Sequence, residues 1–177
     1  MSSNVSHSIK QRKVAKDVFI TPRDLALNHI NMIDYTIDDV WYDPCRYNIN
    51  GSYYSQFPNE CDKTWSEITE GFNFLESDMG LEVGEPTIIC CNPPYSFLDK
   101  WIKKCIEFKP RVISFLIGIG NLTARRIEIL NNAGYGLSKM KMLKVKEWYG
   151  MSLCVVFEKD KEDIIEIDRK VYYSVKE

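Results

Sequence analysis

The sequence predicts an α/β fold built on a mainly parallel sheet covered on both faces, and three observations carry that expectation. Pro86-Thr87-Ile88-Ile89-Cys90-Cys91 and the run from Val112 to Ile117 are unbroken apolar stretches of strand length, as strands buried on both faces require. Around them lie segments whose apolar residues recur at helical spacing. The two patterns alternate along the chain, the order that builds parallel crossovers.

Residues 1–16 carry Lys10, Arg12, Lys13 and Lys16 and no apolar periodicity, so they read as a flexible basic arm and leave 17–177 as one domain. Thr21-Pro22-Arg23-Asp24 opens a helix, with Thr21 as cap and Pro22 in the first turn; Leu25, Ala26, His29, Ile30 and Ile33 continue it. Val40 to Asp43 is a short strand stopped by Pro44, and Thr64 to Ile68 is a second. After the strand 86–91, Ser96-Phe97-Leu98-Asp99 reads as a capping box. Phe97, Leu98, Trp101, Ile102, Cys105 and Ile106 then form one stripe of a helix. Leu122 to Ala133 is another helix, closed by Gly134. Met140 to Val145 and Leu153 to Phe157 form a late strand pair, and Ile164 to Val175 adds a strand or runs along the surface. Lys139, Lys141, Lys144 and Lys146 alternate along the first of that pair. They read as one solvated, aggregation-blocking face or as a phosphate-tracking one. Trp148-Tyr149-Gly150 in the turn between the two strands suits a stacked base or a hydrophobic plug equally.

Composition narrows the function classes. A chain of 177 residues with 45% hydrophobic and 27% charged residues suits one packed domain. Its net charge of −2 lacks the basic footprint of a nucleic-acid binder, so any such role rests on local patches or a partner. The six cysteines and two histidines have no zinc spacing, so no metal is expected. A reducing compartment suits the cysteines. No segment has the length and hydropathy of a signal or a membrane span. A soluble intracellular protein, cytoplasmic or nuclear, is therefore expected.

Asn92-Pro93-Pro94-Tyr95 follows directly on the buried strand 86–91, where two prolines make a rigid turn and remove two backbone donors. An aromatic amine is a poor nucleophile because its lone pair is shared with the ring. It needs two acceptors for its N–H groups, and the Asn92 amide oxygen and Pro93 carbonyl suit that task. Tyr95 suits stacking on a base turned out of its helix.

Ile89-Cys90-Cys91-Asn92-Pro93-Pro94-Tyr95-Ser96-Phe97 resembles the N-P-P-Y motif of amino-group methyltransferases, in particular adenine-N6 DNA methyltransferases of phage and large-virus type. Phe19-Ile20-Thr21-Pro22 resembles their F-x-T-P segment. Asp43-Pro44-Cys45 resembles the start of D-P-x-x-G-x-G, Trp65-Ser66-Glu67-Ile68 the second-strand segment, and Gly71-Phe72-Asn73-Phe74 the G-x-D-F segment. The resemblance implies a Rossmann-like fold with a seven-stranded sheet, mainly parallel with an antiparallel last strand pair. It implies S-adenosylmethionine as cofactor and adenine N6 in DNA as acceptor. It assigns Asn92, Pro93, Pro94 and Tyr95 to the reacting amine. To the cofactor it assigns Phe19, Thr21, Pro22, Asp43, Cys45, Gly51, Glu67, Asn73 and Phe74.

The chain departs from the pattern after Cys45, where Arg46-Tyr47-Asn48-Ile49-Asn50-Gly51 replaces two close glycines, and at Asn73, where the family has an acid. The same motif serves RNA bases, guanine N2 and protein glutamine, so RNA or protein remains an alternative acceptor. A non-catalytic methyltransferase-fold protein that binds nucleic acid or a partner is the rival from another class. A partner subunit for target recognition fits either reading.

Overall fold

The computed structural model describes residues 20–47, 50–76, 85–146 and 148–168. The expected basic arm, Phe19 and the end of the C-terminal segment lie outside these residues. Helices are α1 (Arg23–Ile30), α2 (Leu98–Glu107) and α3 (Ala124–Asn132). Strands are β1 (Val40–Asp43), β2 (Asp62–Trp65), β3 (Ile88–Cys91), β4 (Val112–Gly118), β5 (Tyr135–Leu143) and β6 (Ser152–Lys159). They form one sheet in the order β2-β1-β3-β4-β6-β5. The first four strands are parallel, and β6 is antiparallel to both β4 and β5.

Among the described residues the sheet has six strands where seven are expected. The described part of the stretch between β2 and β3 forms a 3-10 turn at Ile68–Glu70. It then sends the Phe72 and Phe74 rings onto Trp65 and Trp101, so those residues pack as a loop. Strand β2 stops at Trp65, short of the expected Ile68, because Glu67 turns its carboxylate back to cap that 3-10 turn.

Strand alternation divides the core in two. Tyr42, Ile89, Cys91, Ile113, Phe115, Val155 and Phe157 face α2 and α3, against Leu98, Trp101, Ile102, Cys105, Ile127 and Leu130. Trp41, Ile88, Cys90, Val112, Leu116 and Val156 face the other way, against Ala26 and Ile30 of α1 and against Tyr53 and Phe57. The amino ends of three strands are tied together by Asp39, just before β1. It accepts from Thr87 Oγ1 (2.7 Å), ahead of β3, and from Arg111 Nε (2.7 Å) and Nη2 (2.5 Å), ahead of β4. Burial raises the Asp39 carboxyl, but hydrogen bonds from Arg111, Thr87 and Thr36 outweigh it and hold the group well below the usual carboxylate range.

Both expected helix caps give way to longer-range contacts. Thr21 does not cap α1; Pro22 takes the cap position without a side-chain bond, and the Thr21 hydroxyl accepts from Asn92 instead. Helix α2 starts at Leu98 after a 3-10 turn, with no side-chain cap, and Asp99 pairs with Arg126 at 2.6 Å. By contrast α3 is capped by the Thr123 side chain and followed by the expected Gly134, at φ 86°. Lys139 and Lys141, two apart in β5, share a face, but the expected row of four does not form. Lys139 follows a bulge after Leu137 and bonds Asp34 and the Met32 carbonyl. Strand β5 ends at Leu143, so Lys144 lies in the loop beyond it.

His29 is fully buried and joins four parts of the fold. The Ser114 hydroxyl donates to the Val155 carbonyl (3.0 Å), so its oxygen accepts from His29 Nε2 (2.8 Å), and His29 Nδ1 accepts from Tyr53 OH (2.8 Å). That chain of donors needs a neutral imidazole. Burial, with the Lys141 charge, pushes the His29 pKa down from 6.5 to about 3. Between those values the unfolded chain binds the extra proton, so this residue's stabilisation is full above about 6.5 and lost as pH falls toward 3. Replacing His29 with Leu leaves the Tyr53 hydroxyl without its acceptor and should cost about 1–3 kcal/mol at neutral pH. In denaturant melts the gap between wild type and His29→Leu narrows as pH is lowered through that window; a constant gap contradicts the neutral relay.

After β6 the chain turns back over the start of β5. Asp163 accepts from the Leu137 N–H at 2.7 Å, Ile164 donates to the Leu137 carbonyl at 2.9 Å, and Ile165 and Ile167 pack on the first core. The described part of the C-terminal segment therefore runs along the surface and forms no strand. A Cβ on Gly136 would stand 2.1 Å from the Lys161 carbonyl oxygen. Gly136→Ala should therefore lower stability by about 1–3 kcal/mol, read as a reduced denaturant midpoint.

Candidate active site

Strand β3 is buried along its whole length and delivers Asn92 at its carboxyl end. Pro93 and Pro94 then turn the chain, and the Pro94 carbonyl accepts from the Phe97 N–H (3.1 Å) to close a 3-10 turn over Tyr95–Phe97. Asn92 is tied on two sides by residues distant in sequence. Its side-chain Nδ2 donates to Thr21 Oγ1 at 3.2 Å, and its backbone oxygen accepts from the Cys45 thiol at 3.3 Å. The neighbouring Cys91 thiol and burial push the Cys45 thiol well above its ordinary value, so it stays a protonated donor. The Thr21 carbonyl in turn accepts from the Ser52 hydroxyl. Three segments meet around one residue.

Tyr95 is half-buried and packs partly on the first core. Gly118, at the end of β4, leaves room beside its ring: a Cβ there would lie 3.9 Å from it and 3.5 Å from Asn121 Nδ2. Tyr95 forms one wall of a cleft of about 440 Å³ whose other walls include Gly118, Asn121, Trp148, Tyr149 and Met151. That volume falls in the range of small-ligand sites. The β5–β6 loop carrying the aromatic pair is fastened by Lys144, which donates to the carbonyls of Trp148 (2.5 Å) and Gly150 (2.8 Å). Trp148 packs on the second core, and Tyr149 is 87% exposed. The turn therefore supplies one plug and one exposed ring.

The mouth at the ends of β1 and β2 is built around two carboxylates. Asp43 is 2% exposed and accepts from the N–H groups of Cys45 and Tyr54, each at 3.2 Å. Burial pushes its carboxyl up to about 7, aided by the Glu67 charge and opposed by the two hydrogen bonds and Arg46. Glu67 accepts from the Tyr47 N–H on Oε2 (2.8 Å) and from the Thr69 N–H and hydroxyl on Oε1 (3.1 and 2.8 Å). Beside it Ile68 is 67% exposed.

The other expected cofactor residues divide. Pro22 leads into α1, where its carbonyl accepts from Ala26. Gly51 is buried, and its carbonyl accepts from Ser55 N–H and Oγ, closing the turn that brings Tyr54 to Asp43. Asn73 folds its side chain onto the Leu75 N–H at 3.1 Å. Phe74 is corrected by the packing: it is buried among Tyr42, Trp101 and Phe108 and serves the core. Sequence reasoning gave Arg46, Tyr47 and Tyr54 no role, and only Tyr47 had a legible signal, its position four along from Asp43 where D-P-x-x-G-x-G has glycine. Among the described residues no group of three or more His, Cys, Asp or Glu side chains could hold a metal ion. No described helix is long and apolar enough to cross a membrane.

No family model and no curated protein matches the chain. Solved structures do. A methyltransferase from Pyrococcus furiosus superposes with a TM-score of 0.55 at 16% identity, over 80% of this chain and 84% of that one. The chain has the Rossmann-like methyltransferase fold. The 23S rRNA methyltransferase ErmE gives a TM-score of 0.54 at 11% identity, over 84% of this chain and 72% of that one. A human methyltransferase 10 domain containing protein gives 0.51 at 14% identity, over 79% and 83%. In open α/β sheets of this kind ligands bind beyond the carboxyl ends of the strands, where Asp43, Glu67 and Asn92 stand. The Thr21–Asn92 bond is local to that end: Thr21→Val should cost about 1 kcal/mol and loosen the Asn92 side-chain amide, seen as faster exchange of its protons by nuclear magnetic resonance.

Proposed function

We propose that the chain transfers a methyl group from S-adenosylmethionine to the exocyclic N6 amine of adenine in DNA. The observation that carries the proposal is the Asn92-Pro93-Pro94-Tyr95 turn, pinned by Thr21 and Cys45 and opening on an aromatic cleft. The methyltransferase fold supports it, as does similarity to a structure named for methylation of 23S rRNA, a nucleic acid.

The residues at the mouth fit the cofactor. A carboxylate has about four acceptor directions; among the described residues two hydrogen bonds reach Asp43 and three reach Glu67. On this reading Asp43 holds the ammonium and Glu67 a ribose hydroxyl, and exposed Ile68 offers an apolar face to the adenine. When bound, S-adenosylmethionine supplies a methyl group on a positively charged sulfur. The chain's own task is positioning. The Asn92 amide oxygen and Pro93 carbonyl accept the two N–H bonds of the target amine, drawing its lone pair out of the ring, while Pro94 keeps the turn rigid and Tyr95 stacks the base. No strong base is needed, because the amine proton becomes acidic once the N–C bond forms. With a net charge of −2, tracking of the DNA backbone falls to local basic patches or to a partner subunit.

Two outcomes are expected. Asn92→Ala should lower methyl transfer to DNA at least about 100-fold while the cofactor dissociation constant stays within a few-fold; turnover near the wild-type rate would remove the proposed role. An Asp43 carboxyl at about 7 is largely protonated below that pH and must ionise to hold the ammonium. Cofactor binding by calorimetry should therefore be about five-fold tighter at pH 7 than at pH 6, and Asp43→Asn should abolish the difference.

A further inference from the structure

The loop leaving β1 takes a glycine's backbone without a glycine. Tyr47 has φ 67°, in the left-handed region that a side chain disfavours. Such a conformation persists where the surroundings over-determine it. Arg46 supplies that determination. Its N–H donates to the Ser66 carbonyl (3.3 Å), extending the pairing of β1 and β2 by one more bond. Its guanidinium lies 3.1 Å from the centre of the Trp65 ring and 5.5 Å from that of Tyr54, and Nη2 stands 2.6 Å from Glu70 Oε2. The side chain is 7% exposed, so this charge is enclosed by ring faces and one carboxylate. The next residue is thereby delivered with its N–H on Glu67 Oε2.

We propose that Arg46 is a positioning residue for the cofactor, a clasp that does the work of the missing glycines. It fastens the loop after β1 to the 3-10 turn after β2, holds Tyr47 in its left-handed conformation, and so orients Glu67 toward the ribose. This deepens the methyltransferase reading and rests on it.

The test uses the whole chain with S-adenosylmethionine in a calorimeter, together with hydrogen exchange of the Tyr47 amide in the free protein. Arg46→Met should weaken cofactor binding about 10-fold, the loss of one charged hydrogen-bonding group, and speed Tyr47 amide exchange while the β3 amides stay protected. Adding Tyr47→Gly to that variant should return the affinity to within about three-fold of wild type, because glycine adopts the conformation unaided. If Arg46→Met does not fold, Arg46→Lys keeps the charge without the planar stack and should show the same two changes, smaller. Unchanged affinity and exchange in the variant that folds would overturn the clasp, as would a double variant no tighter than Arg46→Met. Absence of binding by the wild type itself would instead overturn the methyltransferase reading.

Discussion

The crevice is organised around the fixing of Asn92. Strand β3 cannot shift along its axis, because it is buried on both faces between two cores. Its last residue is then gripped at the side chain by Thr21 and at the carbonyl by Cys45. The first grip comes from the segment leading into α1, the second from the loop leaving β1. A turn made of two prolines adds no freedom of its own. The position of the Asn92 amide is therefore set by the packing of three segments.

That arrangement explains why a fully buried histidine is tolerated on α1. His29 joins its helix to Tyr53 of the β1–β2 connection, to Ser114 of β4 and, through Ser114, to β6. A satisfied neutral relay costs little and specifies one packing. It fixes α1, and with it Thr21 two residues ahead of the helix. At the far end of the strands Asp39 does similar work for β1, β3 and β4 through Thr87 and Arg111. The crevice lies beyond the opposite, carboxyl ends of the strands, and the exposed groups at its rim, Ile68 and Tyr149 among them, can then face a ligand without holding up the fold.

Much of the fold was legible because continuous apolar strands and striped helices leave a periodic trace. Strands β3 and β4 and helix α3 with its closing Gly134 appear where the pattern indicates; the antiparallel last pair is present too, but β5 begins at Tyr135, five residues ahead of the expected Met140, and stops at Leu143. The two misread helix caps share one cause: a polar side chain near a helix start has a local use and a distant one. Thr21 and Asp99 look like caps, yet the fold gives them to Asn92 and Arg126, partners 71 and 27 residues away. Phe74 looked like a ligand contact and is a core ring, since sequence does not tell which aromatic neighbours will enclose it. Within the site, Asn92, Asp43, Cys45 and Thr21 were visible as residues, but the bonds joining them were not. Arg46 was hidden more completely, because nothing in a single arginine announces that Trp65 and Glu70 will surround it.

The most direct measurement is to incubate the chain with DNA and S-adenosylmethionine carrying a deuterated methyl group, digest the DNA to nucleosides, and identify the labelled product by mass spectrometry. The account predicts label in N6-methyldeoxyadenosine. Label in a different nucleoside, or in none although the cofactor binds, would contradict it.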